Sequence, residues 1–389
     1  MPEDASEQTL RWIRQLAAIE RSSASAGERR AAEWVIAQLP DRTTCPRIES
    51  ERAHGTHLPF ALPSAVALAA GFARSRFVAA LMAGLGTAAI VDELGGHLRL
   101  LRRAWARRRT YNVVAEIGNP QAARSVVFVS HHDVARPWAA AFGALVSAPP
   151  PRLLRGRRPP IARTLAYAPL MVLLGVAAKA RTLRRTGMAL CALIVALFGD
   201  VARRPPVPGA NDNGSGVAAV LGLACELAGS CPAALRVLLL STGSEETMLE
   251  GMEAFLRRHR NELDPSRTLV VCLDMVGWDR LIVREGEGVL RHYPSRPQDV
   301  ELLLQAARAA GVDVEVAPPG PAPTDGLAAR WAGLPTICVS SIAANGGYPH
   351  YHRPTDVPDN INVETVVAAR RLCAELVGQL DSLPDAGRA

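Results

Sequence analysis

The stretch Gly209-Ala-Asn-Asp-Asn-Gly-Ser-Gly216 lies between a proline-rich run and an apolar helical pattern that begins at Val217. Glycine, asparagine and aspartate favour turns because they tolerate positive φ and bond their own backbone. The stretch alone therefore predicts a turn before a helix. It also places a carboxylate, that of Asp212, at the start of the helix, and the rest of the chain decides whether this carboxylate has a function.

Outward from this turn, apolar strand-like runs alternate with amphipathic helical patterns. Such alternation predicts an α/β fold with a sheet covered on both faces. The predicted strands are 46–51, 111–117, 125–130, 235–241, 268–273 and 336–340. The predicted helices are 6–20, 27–39, 217–227, 249–258, 298–310 and 363–380.

Two pairs of uncharged apolar runs interrupt this pattern, at 58–73 with 77–91 and at 164–178 with 186–199. Each pair predicts a helical hairpin with basic residues at its tip. Each run is shorter than the about 20 residues of a spanning helix. We therefore weigh buried core helices against hairpins that span a thin membrane region or dip into one leaflet, and we favour a membrane because charges flank every run. The segment 137–151, which contains Trp138, is expected to be an interfacial addition.

The composition supports a lipid partner rather than a nucleic acid. The 389 residues carry a net charge of +7, and 49% of them are hydrophobic. The arginine clusters at 99–109, 152–163 and 179–185 border apolar runs, which favours anionic lipid. Basic residues are more numerous near the hairpin bases than at the tips, so the positive-inside rule predicts a cytoplasmic catalytic domain if the hairpins span the membrane.

The cysteines and the first residues point to the same compartment. The seven cysteines are scattered and form no CxxC pair, which favours reduced thiols that are mostly small core residues. The first residues lack the basic and apolar regions of a secretory signal peptide. We expect a membrane-associated protein that is not secreted.

Potential metal ligands follow the predicted strands. Because ligands bind at the carboxyl ends of the strands in an open α/β sheet, these side chains are expected to converge. Histidine and carboxylate ligands suit Zn²⁺ and allow Mn²⁺ or Co²⁺. The candidates are His131, His132, Asp133, Asp212, Glu245, Glu246, Asp274, His350 and His352.

The order of these residues resembles the co-catalytic dizinc exopeptidases. This family includes the bacterial secreted leucyl aminopeptidases and, more distantly, glutamate carboxypeptidase II and the transferrin receptor. An H-x-D, a D-x-x-S-G turn, a Glu-Glu pair, an Asp after a strand and a late His before x-P-x-D occur in the family's order. The resemblance covers residues 6–57, 108–135 and 203–381, and it implies a mixed, mostly parallel central sheet flanked by helices.

The resemblance also implies the metal ligands. His131 and Asp274 would hold one zinc, Glu246 and His352 the other, and Asp212 would bridge them. It further implies a cis peptide bond between Asp212 and Asn213. His132 and His350 are competing ligands, but only His352 has the Arg-Pro-Thr-Asp sequence after it that fits the family.

Two catalytic roles follow from the same resemblance. Glu245 would be the general base that deprotonates a water molecule, and Asp133 would fix the tautomer of His131. The implied function is an aminopeptidase that cleaves a peptide or another amide. The alternatives are an inactive receptor-like protein on the same fold and a glutaminyl-cyclase-like acyl transferase, which generally keeps one zinc and lacks the D-x-x-S-G turn.

The chain departs from the family pattern in three places. Thr324-Asp-Gly326 resembles the family's Ser-Asp-His but lacks its histidine. The two hydrophobic hairpins are insertions, one before the strand at Tyr111 and one between His131 and Asp212. The expected organisation is a catalytic domain formed by 1–57, 108–135 and 203–389, with insertions at 58–107 and 136–202.

Overall fold

The computed structural model describes residues 5–96, 98–149, 162–320 and 322–383. The arginines at positions 152–158 of the second predicted basic cluster lie outside these residues. The end of the expected interfacial segment, at positions 150 and 151, lies outside them too.

An eight-stranded mixed sheet forms the centre of the fold, in the order β1-β2-β4-β3-β5-β10-β6-β9. The neighbours β4, β3, β5 and β10 are parallel, whereas β1 and β2 form an antiparallel edge. The strands are β1 Thr44–Ala53, β2 Arg108–Gly118, β3 Arg124–His131, β4 Leu235–Thr242, β5 Thr268–Leu273, β6 Arg280–Arg284, β9 Val314–Ala317 and β10 Thr336–Ile342. A separate two-stranded sheet contains β7 Gly286–Glu287 and β8 Tyr293–Pro294.

Helices cover both faces of the sheet, as the alternating pattern predicts. On the first face lie α1 Ala5–Ala17, α2 Ala26–Ala37, α9 Gly216–Gly229, α11 Pro297–Ala310 and α13 Val363–Ser382. On the second lie α3 Leu58–Ala70, α4 Arg76–Gly95, α7 Arg163–Ala177, α8 Arg181–Val201, α10 Glu250–Arg258 and α12 Asp325–Trp331. The remaining helical segments are α5 Leu100–Ala104, α6 Ala140–Ser147, a π-helical turn Ala210–Ser215 and a 3₁₀ turn Pro358–Asn360.

The central strands are apolar on both sides because each face packs against helices. In β3, Val126 and Phe128 belong to the core on the first face, and Val127 and Val129 belong to the core on the second. Successive side chains of a strand point to opposite faces, so a continuous apolar run is what such a strand requires.

The two predicted hairpins exist, and they pack together into a single four-helix unit. The first hairpin is α3 with α4 and the second is α7 with α8; we call the four helices the insertion bundle. Arg76 Nη2, at the tip of the first hairpin, donates to the carbonyls of Val176 and Ala177 at the tip of the second, both at 3.1 Å. At the other end of the bundle, His57 stacks on Phe198 with 5.1 Å between ring centroids.

The inner and outer sides of the insertion bundle differ. The inner side belongs to the second core, which includes Phe60 and Val172. The outer side is apolar and exposed, with Phe72 at 75% and Phe77 at 79%. Of the described helices, α4 and α8 are long and apolar enough to cross a membrane, and only 33% and 22% of their most apolar windows are buried. The alternative of buried core helices therefore fits only the inner side of the insertion bundle.

Part of the first arginine cluster is buried, contrary to the expectation that it faces lipid. Arg99 and Arg102 are 1% and 4% exposed. Both donate to Glu93 of α4, at 2.6 and 2.7 Å, and they also pair with Glu253 and Glu250 of α10. Acidic partners offset the cost of burying these cations. The two arginines thus anchor the first insertion to the body of the protein.

Candidate metal centre

The carboxyl ends of three parallel strands meet at one edge of the sheet. β3 ends at His131, β4 is followed by Glu245 and Glu246, and β5 is followed by Asp274. Asp212 enters from the turn before α9. This convergence is the arrangement expected of a ligand site in an open α/β sheet.

Asp212 lies between two histidines. One of its carboxylate oxygens is 3.2 Å from His131 Nε2, and the other is 3.2 Å from His352 Nε2. Asp274 Oδ2 lies 3.9 Å from His131 Nε2, and Glu246 Oε2 lies 3.1 Å from His352 Nε2. The structure therefore brings all five predicted ligands together, two on each side of Asp212.

The turn that carries Asp212 is held from two directions. Asn213 Nδ2 donates to the carbonyl of Leu273 at 2.8 Å, at the end of β5. The carboxylate of Asp356 accepts from the backbone N–H groups of Asn211 and Asp212, at 2.8 and 3.0 Å. The peptide bond between Asp212 and Asn213 is cis, as the resemblance implied. The asparagines therefore have structural roles that place the aspartate.

The backbone beside the centre adopts unusual conformations. Ser244, Met275 and His352 have φ angles of 52°, 54° and 52°. Non-glycine residues with positive φ are disfavoured, and they persist where the surrounding structure holds them in place. They cluster at functional sites, and here they flank or carry the predicted ligands.

Asp133 connects both sides of the centre. Its Oδ1 accepts from the backbone N–H of Glu245 at 3.0 Å and lies 3.5 Å from His131 Nδ1. Its Oδ2 accepts from Ser23 Oγ at 2.6 Å and from the N–H of Glu246 at 3.3 Å. The predicted contact with His131 is present. The contacts with the Glu-Glu pair are additional, because they depend on the relative position of β3 and β4.

Comparison with protein families identifies this arrangement. Residues 195–377 match the model of peptidase family M28. Over these residues, which make up less than half of the chain, the sequence is similar to a peptidase M28 domain, and we use M28 as the label for this part of the fold and its metal centre. The match includes Asp212, Glu246, Asp274 and His352 but begins after His131, because the second insertion separates this histidine from the rest of the centre. No curated protein matches the sequence.

Solved structures share the fold of the M28 domain at low sequence identity. The aminopeptidase LapA of Legionella pneumophila is 14% identical with a TM-score of 0.55, over 97% of this chain and 72% of LapA. The zinc aminopeptidase BSAP of Bacillus subtilis is 15% identical with a TM-score of 0.55, over 96% and 94% of the two chains. A glutaminyl cyclase of Porphyromonas gingivalis is 12% identical with a TM-score of 0.56, over 96% and 98%.

The electrostatics of the M28 centre fit a bound cation. Burial raises the pKa of Asp274 to about 7, although His131 opposes the rise. Burial lowers the pKa of His352, but the carboxylates of Glu246 and Asp212 outweigh it and raise this pKa to about 10. Glu246 Oε1 is buried and accepts no hydrogen bond from the described residues. Buried carboxylates need cationic partners, and a metal ion would supply the missing charge.

The two competing histidines do not join the predicted ligands of the M28 centre. His132 Nδ1 is bonded to Ser241 Oγ at 3.0 Å, because the side chain after His131 points to the opposite face of the strand. His350 Nδ1 is bonded to Thr355 Oγ1 at 2.9 Å. Among the described residues, neither is in an ion pair with the carboxylates of the centre.

One further residue near the metal centre has a recognisable sequence pattern, although it was not among the predicted site residues. Ser25 and Glu28 match the capping-box pattern at the start of α2. Glu28 accepts from Ala24 N at 2.7 Å, but it also accepts from the N–H and hydroxyl of Ser244, at 2.9 and 2.8 Å. Glu28 therefore holds the loop that leads into the Glu-Glu pair.

No local sequence pattern indicated that Trp138 belongs to the M28 site. Its indole Nε1 lies 2.8 Å from His352 Nδ1, and the two rings stack with 6.2 Å between centroids. Trp138, expected in an interfacial segment, instead reaches the metal centre. The second insertion therefore contributes directly to the surroundings of a predicted ligand.

Proposed function

We propose that this protein is a membrane-associated, zinc-dependent exopeptidase that holds two zinc ions and removes N-terminal residues from peptides. The observation that carries the proposal is the position of Asp212 between His131 and His352, with Glu245 beside it, in a peptidase M28 domain. The aminopeptidases LapA and BSAP share the fold.

In this proposal the five ligands are assigned to two ions according to the distances between their side chains. His131 and Asp274 would hold one ion, Glu246 and His352 would hold the other, and Asp212 would bridge the two. When bound, zinc lowers the pKa of a water molecule and polarises the amide carbonyl. The same ligands allow Mn²⁺ or Co²⁺.

Glu245 is placed to move a proton. Its Oε2 lies 3.9 Å from His131 Nε2, the same distance as Asp274 Oδ2, and the resemblance assigns Glu245 the role of a base rather than that of a ligand. Burial raises the pKa of Glu245 well above its usual value, and Glu246 adds to this rise while His131 opposes it. A general base with a raised pKa can take a proton from water and give it to the leaving amine.

Substitution of Glu245 tests the proposed function. Glu245→Gln should lower the rate of hydrolysis of leucine amides by about 10² to 10⁴, while about two zinc ions remain bound. The exposed Glu33→Gln is the matched control, and its activity and metal content should equal those of the wild type. Wild-type activity in Glu245→Gln on every amide tested would exclude the assigned role.

The glutaminyl cyclase among the structural relatives makes acyl transfer the second candidate function. The D-x-x-S-G turn and the five-ligand set favour hydrolysis instead. A peptide with N-terminal glutamine distinguishes the two, because a cyclase would release ammonia and leave the peptide bonds intact. Metal analysis provides a second criterion, since the cyclase alternative predicts one zinc. If neither reaction occurs with the metal-loaded protein, the inactive receptor-like alternative holds.

The tip of the insertion bundle is the proposed membrane contact. Phe72 and Phe77 are the most exposed large apolar side chains of the two hairpins. Around them, Arg74, Arg76 and Lys179 are exposed. Apolar side chains surrounded by cations fit a surface of anionic lipid.

The geometry favours a tip that dips into one leaflet. α3 has 13 residues and α7 has 15, which gives lengths of about 20 Å at 1.5 Å per residue, against a hydrocarbon core of about 30 Å. The other end of the bundle is anchored to the body by Arg99 and Arg102. The catalytic domain would then lie on the membrane surface. The cytoplasmic side stays an expectation from the sequence, because the positive-inside rule applies to hairpins that span the membrane.

Sedimentation with vesicles tests the membrane contact. The protein should sediment with vesicles that contain phosphatidylserine, and the double substitution Phe72→Ser and Phe77→Ser should abolish this without lowering amidase activity. Val316→Ser is the control, because Val316 is exposed on β9, outside the bundle. Equal sedimentation of the double variant, or no sedimentation of the wild type, would contradict the membrane contact.

A further inference from the structure

Two spaces of very different size adjoin the metal centre. One is a cavity of about 540 Å³ that is bordered by Glu246 and His352. The other has a volume of about 20 Å³ and lies within the centre, because its lining includes the predicted ligands Asp212, Glu246, Asp274 and His352 and also Glu245. The first lies within the range of about 300–1,000 Å³ typical of ligand pockets, whereas the second holds about one water molecule. The centre is therefore strongly asymmetric.

The insertions build the apolar part of the large cavity. Leu58 and Ala61 of α3 line it, and so do Val195, Phe198 and Val201 of α8. Residues of the catalytic body, including Ser22, Ser25 and Arg108, make the remaining lining more polar. An apolar group in this cavity would therefore lie against α3 and α8.

A set of aromatic rings connects this apolar wall to the metal centre. His57, which precedes α3, stacks on Phe198 of α8 with 5.1 Å between centroids and 19° between planes. Trp138 lies 6.0 Å from the ring of Phe198 and contacts His352. These rings thus form an apolar wall that extends from the insertions to the predicted ligand His352, and no charged side chain intervenes among them.

We propose that the large cavity binds a long alkyl chain or a bulky apolar side chain of the substrate, on one side of the scissile amide. Of the predicted ligands, only Glu246 and His352 border this cavity, so it lies on one side of the centre. The substrate class is therefore an amide with one large apolar group, and the insertions determine this specificity. This inference rests on the proposed hydrolysis of amides, and it adds a role for the insertions inside the protein to their proposed contact with lipid.

Two series of substrates test the asymmetry. The first consists of leucine alkylamides from methyl to octyl, and the second consists of methylamides of amino acids from alanine to 2-aminodecanoic acid. Each buried methylene is expected to raise kcat/KM about fourfold, so kcat/KM should increase at least tenfold along one series. It should not increase along the other, because the large cavity borders only the Glu246 and His352 side of the centre.

Substitutions that fill the cavity provide matched controls. Ala61→Trp should abolish the dependence on chain length and lower kcat/KM of the longest substrate at least tenfold. Ala69→Trp introduces the same side chain at an exposed position of the same helix and should leave the dependence intact. A second pair lies on α8, where Val195→Trp fills the cavity and Ala196→Trp is the control at an exposed position. This pair keeps the test valid if Ala61→Trp fails to fold.

A binding measurement separates this inference from the proposed function. The longest substrate of the series in which kcat/KM increases is either leucine octylamide or the methylamide of 2-aminodecanoic acid. In calorimetry, this substrate should bind zinc-loaded Glu245→Gln protein at least tenfold more tightly than leucine methylamide does. If no amide is hydrolysed but this binding occurs and Val195→Trp abolishes it, the proposed hydrolysis is wrong and the cavity assignment stands. If short amides are hydrolysed and neither series responds to length, or the filled variants keep the response, the cavity assignment is wrong.

Discussion

Replacement of Asp133 by asparagine should destabilise the protein although the two side chains have almost the same shape. Each oxygen of Asp133 accepts from a different backbone N–H group, one from Glu245 at 3.0 Å and one from Glu246 at 3.3 Å. Asparagine has only one oxygen. In either orientation its NH₂ group faces a buried backbone donor, so no rotation of the amide restores both bonds.

The magnitude follows from these contacts. Leaving one buried donor without an acceptor costs about 1–3 kcal/mol, and the loss of charge from the other bonds adds about 1–2 kcal/mol. The free energy of unfolding should therefore fall by about 2–5 kcal/mol, which lowers Tm by about 2–6 °C in a chain of this size. Because Asp133 also faces His131 Nδ1, zinc affinity should fall about 10-fold to 100-fold.

Thermal unfolding with and without a chelator measures the two effects separately. Asp133→Asn should lower Tm under both conditions, and the difference from the wild type should be larger with zinc. Ser23→Ala, which removes a single 2.6 Å bond to Asp133, should give a smaller decrease. The exposed Asp359→Asn should give none. An unchanged Tm together with unchanged zinc affinity in Asp133→Asn would refute the reasoning.

Two further predictions concern buried ion pairs away from the metal centre. Glu93→Gln leaves the buried Arg99 and Arg102 without their shared carboxylate, and it should lower the free energy of unfolding by about 3–5 kcal/mol in urea unfolding. Burial lowers the pKa of His259, but its bonds to Glu49 outweigh this and raise the pKa above 6.5. The stabilisation by His259 is therefore fully present below pH 6.5 and is lost as pH rises through the raised pKa, so His259→Gln should be most destabilising near pH 6.

Exposed residues of the same types serve as controls for both predictions. Glu33→Gln should leave urea unfolding unchanged, and the exposed His292→Gln should leave the stability at pH 6 equal to that of the wild type. A Glu93→Gln variant as stable as the wild type would show that the anchor of the first insertion contributes nothing. The same loss of stability in His259→Gln at pH 6 and pH 9 would contradict the predicted ionisation of this pair.

The convergence of His131 and Asp274 could be predicted from the sequence because their positions depend on strand order. His131 and Asp274 each follow an apolar run, and the carboxyl ends of parallel strands share one edge of the sheet. Asp212 required the resemblance as well, because a turn with glycine and asparagine has an ordinary structural explanation.

The contribution of the insertions could not be predicted in this way. The contacts of Trp138 with His352, and of His57 with Phe198, join segments that are distant in the sequence. They depend on how the two hairpins pack together. Arg102 was misassigned for the same reason, because its partner Glu250 lies on a helix far along the chain.

Anomalous diffraction at the zinc absorption edge, from crystals grown with zinc, tests the central claim most directly. Two peaks are expected within the centre, with Asp212 between them. One should contact His131 and Asp274, and the other should contact Glu246 and His352. A single peak, or peaks that contact other side chains, would contradict the two-zinc centre from which the proposed function is derived.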